Sequence, residues 1–181
     1  MPENPPTRSR GAAPAHWIHA ALARHESDLV RYASQRLGGD LDRARDVVQE
    51  AFLRLCKERR EDVEGRTAEW LHRVVRNLAV DTRRKESRMT TLSEEDYARR
   101  DERVARPDEA LEQRDAVTHV LERLERLPEK QREALRLKFQ SGLSYKEVAA
   151  VMDETVGNVG WLIHVGLKGL RGRLAAEGGE L

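Results

Sequence analysis

The sequence predicts an all-α protein of two small helical modules joined by a charged linker, the second module carrying a helix-turn-helix. Three observations lead there. Only 39% of the 181 residues are hydrophobic and 36% are charged, which suits narrow helical stripes better than one large core. The charged residues are good helix formers, and β-branched runs are missing. Apolar residues recur at three- and four-residue spacing through most of the chain.

Met1–Ala15 holds four of the six prolines and no apolar signal core, so it reads as a disordered tail and not an export signal. His16–Leu37 reads as a helix on Ile18, Leu22, Leu29, Ala33 and Leu37, ended by Gly38-Gly39. Asp40 is placed to cap the next helix. That helix has the cleanest periodicity in the chain, with Ala44, Val47, Val48, Ala51, Phe52 and Leu55 on one face and Asp46, Gln49, Glu50 and Arg54 on the other. A charged loop closed by Gly65 follows. Thr67 is then expected to cap a third helix running to about Arg88, with Leu71, Val74, Val75, Leu78 and Ala79 buried. At 100° per residue, Arg73, Asn77, Arg84 and Arg88 fall together on its far side.

Met89–Arg114 is charged, nearly devoid of apolar residues and interrupted by Pro107, the composition of a linker. The second module opens with a helix on Val117, Val120, Leu121 and Leu124. Pro128 suits the first position of the next helix, which covers Gln131–Gln140 and stops at Gly142. Ser144-Tyr145-Lys146-Glu147 is a capping box opening a helix that buries Val148, Ala149 and Met152. The turn Asp153-Glu154-Thr155 leads into a longer helix with Val156, Val159, Ile163, Leu167, Leu170 and Leu174 on one face. Two helices joined by so tight a turn form a helix-turn-helix. The modules are thus expected at 16–88 and 115–175, with the linker at 89–114 and a short tail at 176–181.

Net charge is +1, but its distribution is uneven. Positive charge gathers in Arg66–Arg88 and Lys168–Arg173, and negative charge lies between them in Ser93–Glu112. Such segregation points to two anion-facing surfaces joined by a solvated linker. The single cysteine, Cys56, cannot close an internal disulfide and sits on an apolar face, so a buried structural thiol in a reducing compartment is expected. No apolar run approaches the roughly 20 residues needed to cross a bilayer. A cytoplasmic protein without membrane insertion is therefore expected.

Three stretches together resemble one family, the extracytoplasmic-function (ECF) group of bacterial RNA polymerase sigma factors. Ala44–Leu55 resembles its polymerase-binding helix. Glu69–Asp81 with Arg83-Arg84-Lys85 resembles its promoter-opening helix. Leu127–Leu135 followed by Gly142–Ala149 resembles the start of its C-terminal DNA-binding module. Their order and spacing cover nearly the whole chain after residue 16.

The resemblance implies that 16–88 is a region 2 like module, docking on the β′ clamp helices of core RNA polymerase and opening the minus-ten element. It implies that 115–175 is a region 4 like module, binding the minus-thirty-five element and the β flap. Asp46, Gln49, Glu50 and Arg54 would then face polymerase, where their polar groups suit charge-assisted bonds to a partner helix; on the residues alone an ordinary solvated face is the preferred reading. Arg73, Arg76, Asn77, Arg83, Arg84, Lys85 and Arg88 would hold the opened strand. An extruded base needs a hydrogen-bonding group beside cations that grip the backbone, and Asn77 stands among such cations. Trp70 is placed either to stack on a base or to pack in the core. In the helix-turn-helix, Ser144, Tyr145, Asn158, Trp161, His164, Lys168 and Arg171 would face DNA.

The recognition helix departs from the family. Members usually carry Lys, Ser/Thr and Arg where this chain has Gly160, Trp161 and Leu162. Gly157, Gly160, Gly166, Gly169 and Gly172 all fall in it, at about 1 kcal/mol each against Ala. Lys168, Arg171 and Arg173 remain as phosphate contacts. An exposed Trp161 beside Val165 is expected to meet a partner, such as an inhibitory anti-sigma protein or another part of the chain; the alternative is that it reads thymine methyls, with glycines allowing close approach.

Two other readings compete with the initiation factor. One is a free-standing, dimeric helix-turn-helix regulator on paired half-sites, which leaves the first module without a role. The other is an interaction protein whose DNA-binding surface has decayed. An enzyme is not expected: there is no glycine-rich phosphate loop, no metal-ligand set and no nucleophile beside a base. The six histidines are scattered, and no cofactor or metal is called for. The two modules are expected to fold back on one another into a closed state.

Overall fold

The computed structural model describes residues 14–90 and 120–177. Of the expected tail at 1–15, linker at 89–114 and tail at 176–181, residues 1–13, 91–114 and 178–181 lie outside the described residues, as do 115–119, which include Val117. The ends of these segments are helical instead, 14–15 opening the first helix, 89–90 closing the helix that starts at Thr67 and 176–177 closing the last. Among the described residues every regular element is a helix.

Helix α1 (Pro14–Arg36) ends where Gly38 and Gly39 adopt positive φ of 72° and 93°. The Gly39 N–H reaches back to the Ser34 carbonyl at 2.9 Å, closing the last turn. Asp40 then caps α2 (Leu41–Leu55) by accepting from the Arg43 N–H at 3.0 Å. All six apolar residues of the expected stripe, from Ala44 to Leu55, are buried. Cys56 is not: it stands just past α2 as its C-cap and is exposed, contrary to the expected buried thiol. The charged loop contains a short helix, α3 (Arg60–Val63), pinned by Val63, which is 1% exposed.

Helix α4 (Thr67–Thr90) takes Thr67 as its first residue; the hydroxyl donates to the Val63 carbonyl at 3.0 Å and does not cap the helix N–H groups. Leu71, Val75 and Ala79 are buried, with Val74, Leu78 and Trp70 packed against them. Helices α1, α2 and α4 pack pairwise into the first module.

The described part of α5 covers 120–125. Its expected apolar face is split: Val120 and Leu121 are 42% and 40% exposed, while Leu124 and Leu127 are buried. Pro128 stands one residue before α6 (Glu129–Leu135), and a π-helical turn, Arg136–Gln140, continues that helix. Gly142, at φ +70°, ends it. The capping box is present in both directions at the start of α7 (Tyr145–Met152): the Ser144 hydroxyl accepts from the Glu147 N–H, and the Glu147 carboxylate accepts from the Ser144 N–H at 2.7 Å. Asp153 turns the chain in the left-handed region at φ 58°, and the Thr155 hydroxyl accepts from the Asn158 N–H to start α8 (Val156–Glu177). Val156 lies in the first turn, half exposed and off the core, while Val159, Leu162, Ile163 and Leu170 are buried.

The glycines of α8 divide into two kinds. A Cβ on Gly166 would lie 2.9 Å from Leu135 Cδ1, and one on Gly169 would lie 3.2 Å from Leu127 Cδ2. Gly166 lets α6 pack closely on α8, and Gly169 does the same for Leu127 in the turn before α6. A Cβ on Gly157, Gly160 or Gly172 would meet nothing within 4 Å.

The modules are folded together, with α7 packed on α4. At their junction Glu133 of α6 is buried. Its Oε1 accepts from the Tyr32 hydroxyl at 2.7 Å, Arg36 Nη1 at 2.7 Å and Arg76 Nε at 2.9 Å. All three partners come from the first module. Around this node Arg31 Nη2 donates to the Gln140 carbonyl at 3.0 Å, and Gln35 Nε2 donates to the Gln140 side chain. Burial and the neighbouring Glu133 carboxylate push the Tyr32 phenol well above its usual range, so it remains a donor.

Candidate nucleic-acid interface

Three exposed surfaces collect the residues singled out in the sequence. On α2, Asp46 and Gln49 are exposed side by side, and Glu50 is half-buried with its carboxylate on Arg54 Nε at 2.9 Å. Glu50 and Arg54 therefore satisfy one another, leaving Asp46 and Gln49 as the open polar groups of this face. Beside them runs an open apolar groove between α1 and α2, lined by Leu22, Val30, Phe52, Leu53 and Cys56 with Gln49 at its rim. Leu53, 52% exposed, is the member that periodicity alone passed over. Its signal was an apolar residue outside the buried stripe, four positions after Gln49.

On α4, Arg73, Asn77, Arg84, Lys85 and Arg88 are exposed, and the rotation of the helix puts Arg73, Asn77, Arg84 and Arg88 in one stripe. Arg76 leaves this surface: it is half-buried and bound to Glu133. Arg83 is exposed and 3.8 Å from Glu129 across the module junction. Trp70 is half-buried against the core.

His72, adjacent to Arg73, is 1% exposed. Its Nδ1–H donates to the Ala68 carbonyl at 2.8 Å, its ring lies 5.4 Å from that of Tyr32, and its Nε2 is buried without a partner among the described residues. Burial pushes its pKa below the ordinary 6.5; His25 pushes the same way, while the Ala68 bond, Asp28 and Glu147 oppose. The unfolded chain thus takes up this proton at a higher pH than the folded one. Stability is expected to fall as pH drops from about 6.5 towards the folded-state pKa. Denaturant unfolding at pH 7.5 and 5.5 reads this out. His72→Asn should flatten part of the slope, His25, also shifted down by burial, carrying the rest. Equal slopes for wild type and variant would exclude the assignment.

On the helix-turn-helix, Tyr145 and Trp161 are 41% and 57% exposed, and His164, Lys168 and Arg171 are exposed along α8. Lys138 Nζ lies 5.3 Å from the Tyr145 ring centre. Ser144 spends its hydroxyl on the cap, whose Ser144 hydroxyl and N–H also hold the Glu147 carboxyl below its usual range. The half-buried Asn158 donates to Glu154 at 2.7 Å. Those two residues therefore brace the motif, while Tyr145, Trp161, His164, Lys168 and Arg171 form its open face. No group of His, Cys, Asp and Glu among the described residues has the arrangement of a metal site.

A chain with two such modules, one presenting a cationic stripe around an Asn and the other a helix-turn-helix, matches known families along most of its length. Residues 22–89 match the model of Sigma-70 region 2, and residues 119–169 match that of Sigma-70, region 4. The ECF RNA polymerase sigma factor SigL of Mycobacterium tuberculosis is 30% identical, over 88% of this chain and 90% of its own. The chain belongs to the ECF sigma factor family. SigE of Mycolicibacterium smegmatis, also an ECF RNA polymerase sigma factor, is 33% identical over 88% of this chain; the match spans 62% of SigE. The fold of this sigma factor is shared with the sigma factor RpoE from Bartonella quintana, solved in complex with the anti-sigma factor NepR. That structure superposes with a TM-score of 0.68 at 22% identity, over 87% of this chain and 96% of the other. No helix among the described residues is long and apolar enough to cross a membrane.

Proposed function

We propose that this sigma factor directs promoter-specific initiation by joining core RNA polymerase and carrying two separate DNA-reading surfaces to the promoter. The observation that carries the reading is the pairing of α2 and α4: one exposes Asp46 and Gln49 beside an apolar groove, and the other exposes Asn77 among arginines. Residues 16–88 then dock on the β′ clamp helices and hold the opened minus-ten strand, with Arg76 and Arg83 joining once the modules part. Residues 115–175 bind the minus-thirty-five element and the β flap, and 89–114 connect them. The protein acts by binding and not as an enzyme, and its place is the cytoplasm, where polymerase and promoter are. The RpoE–NepR pair makes an anti-sigma protein the expected inhibitory partner.

The closed arrangement is a resting state in this scheme. Two promoter elements about 25 base pairs apart are separated by roughly 85 Å of duplex at ~3.4 Å per pair. A compact chain of this length has a radius of gyration of only about 16 Å. Reading both elements requires the Glu133 junction to open.

Gel filtration with core RNA polymerase tests the reading. Wild type is expected to co-elute, and the double variant Asp46→Ala/Gln49→Ala to lose most of that association. Absence of co-elution with tight binding of the free protein to duplex DNA would move the assignment to a free-standing regulator. That second reading draws on the α8 face, which is open even in the closed arrangement.

A further inference from the structure

We infer that Trp161 is a specificity residue that reads thymine C5-methyl groups in the major groove, using an apolar contact where a recognition helix ordinarily uses a polar one. This rests on the promoter-binding role of the helix-turn-helix proposed above.

Four observations carry it. Val159, Leu162 and Ile163 face the core, which turns Trp161 outward in the second turn of α8, at 57% exposure. Of the two positions that face it from the preceding turn, one is the half-buried Asn158 and the other is Gly157, and Gly160 stands immediately before it. A helical side chain leans over the turn before its own Cα, so the indole lies towards Gly157. Neither glycine is required by the protein itself, since a Cβ there would touch nothing within 4 Å. The propensity cost of about 1 kcal/mol each is therefore matched to an approach from outside, unlike that of Gly166 and Gly169, which is explained by Leu135 and Leu127. Gly172, open as well, stands beyond the reading turns at the cationic end.

The same face identifies the occupant as duplex DNA. Lys168 and Arg171 are exposed on α8, seven and ten residues after Trp161, or about 10 and 15 Å along the axis at ~1.5 Å per residue. A major groove about 12 Å wide places phosphates at that distance from a residue at the groove floor. An indole carries a large apolar surface and one N–H donor. Among the groups on the groove floor, the thymine methyl is the one that prefers apolar contact.

The test uses holoenzyme reconstituted from core polymerase and the full chain, with a duplex library randomised across the minus-thirty-five region. Wild type is expected to select at least one strictly preferred thymine. Replacing it by deoxyuridine, which removes only the methyl, should weaken binding about four-fold, the value of one buried methyl group. Trp161→Ala should lose that preference and become indifferent to deoxyuridine, and Trp161→Phe should keep it. Identical selections by wild type and Trp161→Ala, or insensitivity of wild type to deoxyuridine, would overturn the inference and leave the Trp161 face to a protein partner. No enrichment by either protein would overturn the DNA-reading role of the helix-turn-helix itself. Co-elution with polymerase separately reports whether the initiation-factor reading survives.

Discussion

Glu133→Ala is expected to open the molecule. The carboxylate is 5% exposed and holds Tyr32, Arg36 and Arg76, while Arg36 itself is only 9% exposed. Loss of Glu133 leaves Arg36, in a poorly solvated site, with only the longer 3.7 Å approach to Glu129, and breaking a buried ion pair costs about 3–5 kcal/mol. Because every partner of Glu133 comes from the other module, that cost falls on the closed arrangement and not on the helices of either module. At ~1.4 kcal/mol per decade it shifts the closed-to-open ratio by about 10² to 4 × 10³. Small-angle scattering should show a larger radius of gyration with helix content unchanged, and association with core polymerase should become faster. Arg36→Ala should act in the same direction, and the double variant should fall short of the sum, since both remove one interaction. An unaltered radius of gyration in Glu133→Ala would rule out the latch.

The second large effect is expected on the α4 stripe. In holoenzyme binding a single-stranded minus-ten probe, each phosphate contact contributes about 0.7 to the slope of log affinity against log salt. The triple variant Arg73→Ala/Arg84→Ala/Lys85→Ala should lower the slope by about 2 and weaken binding uniformly across sequences. Asn77→Ala should leave the slope unchanged and reduce discrimination at one base by about 1–3 kcal/mol. A slope shift from Asn77→Ala, or none from the triple variant, would show that the stripe does not divide its work in this way. Arg73, Asn77, Arg84 and Lys85 are all exposed on the surface, so none of these changes should unfold the module.

The helices themselves were legible from periodicity and local signals. The buried stripe of α2 and the Asp40 cap stand as read, as do the capping box of α7 and the tight turn before α8. These depend on residues a few positions apart, where spacing alone decides which side chains share a face. Local reading also has a characteristic error, seen at Cys56, Val156, Val120 and Leu121. Cys56 and Val156 extend an apolar pattern to a helix end, where the neighbouring element no longer covers the face, and at Val120 and Leu121 the core leaves part of an apolar face uncovered. The candidate site divides similarly. Asn77 with its arginine stripe, and Trp161 with its outward face, follow from helical rotation and are exposed as expected.

What the sequence determined by itself is therefore the all-α class, the family and the composition of each exposed face, because all of these are written in short-range order. Tertiary structure alone decided the rest. It withdrew Arg76 from the cationic surface, buried His72, and tied Tyr32, Arg36 and Arg76 to Glu133, residues separated by 57 to 101 positions. It also separated the α8 glycines into those that admit Leu135 and Leu127 and those open to an outside surface. Periodicity carries no information about which distant charge a buried arginine will meet. That is settled only when two apolar faces pack and the polar groups between them must find partners or remain costly.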